Sequence, residues 1–474
     1  MESKDKKRMT DLLPDWHPEP EGAALLTTGA SVDVTSLPLP RAIFQLAVPA
    51  IGSMLLIMLF GLVDAWFVGR LGAEAFAGVS AGGFVIWAVQ SISLVISEGL
   101  VAVASRAIGA KDSDTAELAF AQSLILAGFV SLITSALCLA AEKPMLAFMG
   151  LEGKAAEASL SYLSTMFFGL FFLFESYTLD AAFRSMGDTT TPLIIIAGSL
   201  VLNGLLDYLL IFGIGPFPRL EVQGAALATV LAHVVALVLS LIFLQRKAIH
   251  LRIKDLQRLN WSLMRRVTVV GAPITLSSLL FSLSYMTLTR LISGYGAHAL
   301  AAIGVGHRIE GICYYVAVGF STAAATLVGQ HLGAGKPENA SKAVKLGIFY
   351  VSIFMFAVSV VFFFYGGRLI RFFIDDPAVI REGALYLRIV AVFELFLGFE
   401  IVYEGAFSGA GDTIPPMLIS VPLTWARIPL AFLLSDTFGL GSVGIWWAIS
   451  ITTCLKGAIM AFWFARGRWK HKKV

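Results

Sequence analysis

Long apolar runs, separated by short polar or Gly/Pro breaks, follow one another from residue 43 to residue 465. They predict membrane-spanning helices at 43–69, 77–106, 115–140, 156–183, 189–213, 221–245, 267–293, 301–331, 338–366, 381–408, 413–436 and 441–465. Each reaches the ~20 residues a helix needs to cross a bilayer, and several are long enough to tilt or project. The fold this pattern predicts is all-α and polytopic, with twelve transmembrane helices.

The polar breaks recur with a constant spacing. Pro49 matches Pro273 at an offset of 224, and the same offset aligns Gly72-Ala73 with Gly296-Ala297. It also aligns Gly109-Ala110 with Gly333-Ala334, and Gly187-Asp188-Thr189 with Gly411-Asp412-Thr413. Apolar runs resemble one another by composition alone, but Gly, Pro and Asp anchors in register do not. Six helices per copy is an even number, so each half enters and leaves the membrane on one side. The repeats are therefore parallel, related by an axis along the membrane normal, an arrangement suited to rocking two bundles around a central cavity.

Composition excludes an ordinary soluble domain: 57% of residues are apolar, 14% charged, and the mean hydropathy is +0.80, against about 25% charged in soluble proteins. Net charge is +3, but the basic residues cluster at segment ends, which speaks of membrane orientation and not of nucleic acid. Counting the end turns of each span with the adjoining loop, 23 of the 35 lysines and arginines fall on the side of the termini, eight on the opposite side and four (Arg290, Arg308, Arg427 and Lys456) deeper within spans. The positive-inside rule then places both termini in the cytoplasm of a cell membrane protein. Residues 1–40 (Lys4, Lys6, Lys7 and Arg8, then Pro14, Pro18 and Pro20) read as a cytoplasmic tail and not as a signal peptide. The expected division is a first lobe at 41–246, a basic cytoplasmic linker at 247–266, a second lobe at 267–466 and a basic tail at 467–474. Cys138, Cys313 and Cys454 lie far apart in apolar runs, so packing is their expected role.

The fifth and sixth spans carry Asn203-Gly204-Leu205-Leu206-Asp207, then Ile211-Phe212-Gly213, then Gly224-Ala225-Ala226-Leu227-Ala228-Thr229. With the Arg184-Ser185-Met186-Gly187-Asp188-Thr189 turn, and Pro49, Asp64 and Gly69 on the first span, this resembles the MATE family (multidrug and toxic compound extrusion). The resemblance covers about residues 41–466. It implies two six-helix lobes in a V, exporting amphipathic and often cationic compounds in exchange for Na⁺ or H⁺, with no other cofactor. The expected assembly is a monomer in the lipid bilayer.

An ionisable residue at bilayer depth costs a few kcal/mol on insertion, so each is a functional candidate by default. Asp64 sits late in span 1, Asn203 and Asp207 lie four apart on one face of span 5, and Thr229 is on span 6. Two carboxylates, an amide oxygen and a hydroxyl are hard ligands for a small cation. An apolar surrounding favours the neutral form of a carboxyl, so the pair also suits proton exchange. In the family, residues at these positions line the cation site. The repeat places Leu288, Arg427, Ala431 and, with the offset shifted to 220 near the end, Ile449 opposite these four. All four oxygen ligands are lost in the second copy.

The second half carries Arg308, Glu310, Glu394, Glu400, Glu404, Arg427 and Lys456 instead. Structural ion pairs are the expected role for most, with Arg427 or Lys456 neutralising Glu400 or Glu404. Glu310 stands apart, because Arg308 two residues earlier on a helix points away from it. Asp180 and Glu98 are expected to pair with Arg106 or Arg184. One branch of the family has acidic residues on spans 7 and 10 where this chain has Phe281-Ser282-Leu283-Ser284 and Leu397, so a cation site of that kind is not expected in the second half. His233 and His307 read as packing histidines. Trp87, Tyr177, Tyr285, Tyr314 and Trp425 would offer aromatic faces to planar cations. No Gly-x-x-x-x-Gly-Lys-Ser loop supplies ATP binding, and no nucleophile–base pair or His-Glu-x-x-His cluster suggests an intramembrane enzyme. A receptor without transport fits a duplicated bundle poorly. The competing reading is a flippase for lipid-linked precursors, for which the basic residues of the second half are the sequence feature.

Overall fold

A computed structural model describes residues 34–149, 151–247 and 251–472. The basic start of the chain, Lys4 to Arg8, lies outside the described residues. In lipid every backbone polar group must be satisfied within its own segment, and each apolar run accordingly forms a helix. The first six are α1 Leu39–Gly69, α2 Ala73–Gly109, α3 Ser113–Phe148, α4 Gly153–Ser185, α5 Thr190–Phe212 and α6 Glu221–Gln245. The second six are α7 Trp261–Ser293, α8 Ala297–Gly333, α9 Pro337–Phe373, α10 Pro377–Ala410, α11 Ile414–Phe432 and α12 Ser442–Ala465. A single helical turn at Ile253–Leu256 lies between the two sets.

Eleven of these segments are long and apolar enough to cross a membrane. The remaining one, α10, carries Glu394, Glu400 and Glu404, all within buried or half-buried positions, and packs against α8, α9 and α12. The chain is a multi-pass membrane protein. Several helices outrun the apolar windows that predict them. The window 115–140 stops at the charged pair Glu142-Lys143, yet α3 continues through Pro144 to Phe148. Outside the hydrocarbon a helix no longer needs apolar residues, so composition marks where lipid ends and not where the helix does.

The repeat is visible in the helix boundaries. Adding 224 to the start and end of α2 gives the start and end of α8, and the start of α4 gives that of α10. Gly187 and Gly411 both adopt a left-handed conformation (φ 77° and 70°), which ends α4 and α10 without a Cβ penalty. Just after each, a threonine hydroxyl caps a carbonyl of the first helix of its own lobe: Thr189 Oγ1 donates to Leu46 O at 2.9 Å, and Thr413 Oγ1 to Val270 O at 2.7 Å. These four residues are also 224 apart in pairs.

The lobes touch where α1, α2, α7 and α8 approach the end of the bundle at which α1 begins and α12 ends. Glycines make the approach. A Cβ built on Gly271 would lie 1.9 Å from Val95 O, and one on Gly99 would lie 2.1 Å from Val267 O. Gly109 and Gly333 face Gln330 O and Arg106 O in the same way, each at 2.0 Å, and the repeat exchanges these two contacts. The pseudo-twofold axis runs between them. Towards the other end, large side chains on the facing helices are exposed, among them Phe84 (69%) and Met286 (62%). The cleft is thus closed at the end where α1 begins and open at the opposite one.

Ion pairs and hydrogen bonds reinforce the closed end. Arg184 reaches Asp180 Oδ2 at 2.8 Å and Glu98 Oε1 at 3.2 Å. The other oxygen of Glu98 accepts from Ser408 Oγ of the second lobe at 3.1 Å. Thr326 Oγ1 donates to Arg184 O at 2.9 Å, and Gln330 Nε2 to Ser185 O at 2.8 Å. Arg106, the alternative partner for these carboxylates, instead donates to Lys472 O at 2.7 Å. Removing the one cation leaves two carboxylates facing each other at a part-buried seam. Arg184→Gln is expected to lower stability by about 3 kcal/mol, read as a fall in the unfolding temperature of the purified protein. Glu98→Gln/Arg184→Gln should lose less than Arg184→Gln alone, and an equal or larger loss would show that the charges are not the reason.

Candidate functional site

The first lobe gathers its polar residues where α1, α5 and α6 pack. Gly224 lets α6 close on α5, since a Cβ there would stand 2.8 Å from Leu210 O. The small run Ala225, Ala226 and Ala228 keeps the approach tight, and Thr229 follows one turn after Ala225. Asn203 and Asp207, one turn apart on α5, face the same seam and are fully buried. Asp64 projects into it from α1, five residues before the helix ends at Gly69.

The four side chains predicted from sequence are therefore in contact. Thr229 Oγ1 lies 3.4 Å from Asp64 Oδ2 and donates to Ala225 O at 3.1 Å. The Asn203 amide meets Thr229 Oγ1 at 3.5 Å with one terminal atom. Its other terminal atom is 2.9 Å from Asp64 Oδ1 and 3.3 Å from Asp207 Oδ2. Ionised carboxylates only accept, so the atom facing both is the amide nitrogen. Asp207 Oδ1 is buried without a hydrogen-bond partner. A buried acceptor of this kind costs about 1–3 kcal/mol unless something else satisfies it, and a proton or a small cation would do so.

The equivalent place in the second lobe is filled differently. Leu288, Ala431 and Ile449 are buried there, and Arg427 stands where the first lobe has Asn203. Its guanidinium donates to Thr452 Oγ1 and to Tyr285 Oη, each at 3.0 Å, and to Thr453 Oγ1 at 3.3 Å. A fixed positive charge thus occupies the second copy. The expectation that Arg427 or Lys456 neutralises a glutamate resolves to Lys456, whose Nζ is 2.5 Å from Glu400 Oε1 with both side chains buried. Glu404 accepts from Ser420 Oγ at 2.8 Å. Lys456→Met is expected to destabilise the protein by about 3 kcal/mol by stranding Glu400, while Glu400→Gln/Lys456→Met should recover most of the loss. Thermal unfolding of the single and double variants checks this, and equal losses would argue against a pair.

Glu310 is held by Tyr386, whose hydroxyl donates to Glu310 Oε2 at 2.5 Å, and His307 Nε2 lies 4.0 Å from the same oxygen. Glu394 is buried nearby with one oxygen unpartnered. The secondary candidates Glu310, Asp180, Glu400 and Glu404 therefore do not join the first-lobe cluster: Asp180 belongs to the closed-end ion pairs and the three glutamates to the second lobe. Two residues in these arrangements escaped the sequence reading. Tyr386 is one of many aromatics, and Ser408 contacts Glu98 only because the lobes meet.

The sequence profile of the MatE family matches the chain twice, over residues 49–209 and 273–433, so that both ends of the match repeat at the offset of 224. A probable multidrug resistance protein NorM of Thermotoga maritima is 31% identical over 436 residues, covering 92% of this chain and 94% of that protein. An FAD transporter of Shewanella oneidensis is 28% identical, covering 89% and 93%. Among solved structures, a MOP superfamily transporter from Pyrococcus furiosus, described as having a binding pocket of reverse polarity, superposes with a TM-score of 0.86 at 23% identity, over 94% of this chain and 99% of that one. A crystal structure of a MATE protein in the bent conformation gives 0.87 at 22% identity, over 93% and 98%. The doubled profile, the relatives aligned almost end to end and the shared two-lobe fold agree that this chain belongs to the MATE family of transporters.

Proposed function

We propose that the protein is a secondary exporter of amphipathic compounds, working as a monomer by alternating access and coupled to H⁺ or Na⁺ through Asp64, Asn203, Asp207 and Thr229. The observation that carries this reading is the buried four-residue cluster in one lobe only, with Asp207 Oδ1 unpartnered. In the arrangement described, the Asn203 nitrogen bridges the two carboxyls, the state that suits a bound proton. A half-turn of the amide would present its oxygen to the same place and complete a set of oxygen ligands for Na⁺. One side-chain rotation thus separates the two coupling ions. By the positive-inside rule the basic residues at the closed end support a cytoplasmic side for it, and on this reading the cleft open at the other end is the outward-facing state. Relatives named for multidrug resistance support drug-like cargo, and the FAD transporter supports a wider range.

Reconstituted protein should move ethidium when a pH gradient or a Na⁺ gradient is imposed across proteoliposomes. Ethidium movement under neither gradient would overturn the reading. Movement under one alone would name the ion.

A further inference from the structure

The cleft between the lobes carries a charge, on Arg308, that no described residue answers with a carboxylate. Gly319 of α8 packs on Ile51 and Ala47 O of α1, so its face of α8 looks at the first lobe. Gly333, fourteen residues on, meets Arg106 O of α2 in the same general direction. Arg308 is eleven residues before Gly319, which is three turns and about 20° of rotation. It therefore looks across the cleft, about 17 Å in from the open end of α8. It is exposed, and among the described residues its guanidinium meets no carboxylate. Glu310, two residues on, lies on the opposite side of the helix and is taken by Tyr386. The facing stretch of α1 beyond Ile51 (Met54, Met58, Gly61, Leu62) is uncharged.

Aromatic rings gather beside His307, the residue before Arg308 on α8. His307 stands 5.4 Å from the ring of Tyr285, which in turn lies 4.6 Å from Phe281. On the other lobe the repeat counterpart of Arg308 is Phe84, and it too is exposed, about 20° from the face by which Val95 meets Gly271. One wall thus presents a guanidinium and the other a bare ring at equivalent depth. An unpaired arginine repels a cationic ligand and offers paired N–H donors to a phosphate or carboxylate.

We propose that Arg308 selects planar aromatic cargo bearing an anionic oxygen group, which it holds by its guanidinium while the ring system lies among Phe84, Phe281 and Tyr285. The proposal rests on the reading of the cleft as the cargo site. The test compares two probes with one ring system, flavin mononucleotide and riboflavin, with ethidium as the cation. Binding to the purified protein is measured by fluorescence in a maltoside detergent, where no lipid phosphate competes. The wild type is expected to bind the mononucleotide at least about tenfold more tightly than riboflavin, since a charge-assisted hydrogen bond is worth that much. Arg308→Gln should erase the difference, leave riboflavin unchanged and tighten ethidium; Arg308→Lys should keep part of the preference. Equal binding of the two flavins by the wild type, or a preference that survives in Arg308→Gln, would overturn the role of Arg308. Binding of none of the three probes would instead sink the reading of the cleft as a cargo site. Because Arg308 is exposed and unpaired, its replacement should not move the unfolding temperature, and a fall would count against the absence of a partner.

Discussion

Proteoliposomes carrying Asp207→Asn are expected to move ethidium at less than about a tenth of the wild-type rate under an imposed pH or Na⁺ gradient, while still binding the dye. The carboxyl is fully buried and one of its oxygens is unpartnered. Replacing that oxygen by an amide leaves the volume unchanged and removes the proton or cation site. A coupling ion acts through the difference in its affinity for two facing states, and the same difference changes cargo affinity by an equal factor, typically 1–3 kcal/mol or about 5–150-fold. Without the ion site that factor falls to one, so cargo binds but is not driven. Asp64→Asn should behave alike, because Asn203 and Thr229 touch Asp64 directly. Normal gradient-driven rates in both variants would place the coupling elsewhere, and Glu310 is the next residue to change.

Gly271→Val should have an equally large effect by a different route. The new Cβ would stand 1.9 Å from Val95 O, and both atoms belong to helix backbones that cannot turn aside. The closed end would be forced apart, and a state that must form once per cycle would be disfavoured. Transport is expected to fall by more than about tenfold, with a folded protein, because the substitution acts where lobes meet and not within either core. A cysteine placed at Ser105, which is buried against Gly329 at the seam, reports the change in a background lacking Cys138, Cys313 and Cys454. It should react slowly with a water-soluble maleimide in the otherwise unaltered protein and readily in Gly271→Val. Wild-type transport together with an unreactive Ser105→Cys would show that the seam tolerates the extra atoms.

What the sequence made legible depended on whether the signal was local. The offset of 224 could be read because turn residues such as Gly187 and Gly411 have few substitutes at positive φ. Asp64, Asn203, Asp207 and Thr229 could be grouped because carboxylates in apolar runs are rare and a spacing of four fixes a face. Their contacts in the structure follow from helix packing that the small residues of α6 already suggest. Three other features depend on where helices from distant parts of the chain meet. Arg184 was one of two partners for Asp180 and Glu98, and only the position of the C-terminal segment shows why Arg106 turns away to Lys472. The hydrogen bond of Ser408 to Glu98 exists because the lobes close at that end. The substitution of Arg427 for Asn203 was visible in the alignment of the halves, but not that hydroxyls, and no glutamate, would receive its donors.

The short segment between the lobes adds a mechanical consequence. Gln122, fully buried on α3, donates to Asp255 O and Arg258 O, each at 2.8 Å, and accepts from Asn260 N at 2.8 Å. Arg252 is paired with Asp114 and Glu117 of the same helix. Although the segment joins two bodies, it is strapped to one of them up to the residue that caps α7. A rocking motion between the lobes must then flex in the first turns of α7, and the strap travels with the first lobe as a passenger. An antibody fragment gripping residues 251–260 would ride through the whole cycle without impeding it, which makes that surface a handle for following the motion and a poor target for stopping it.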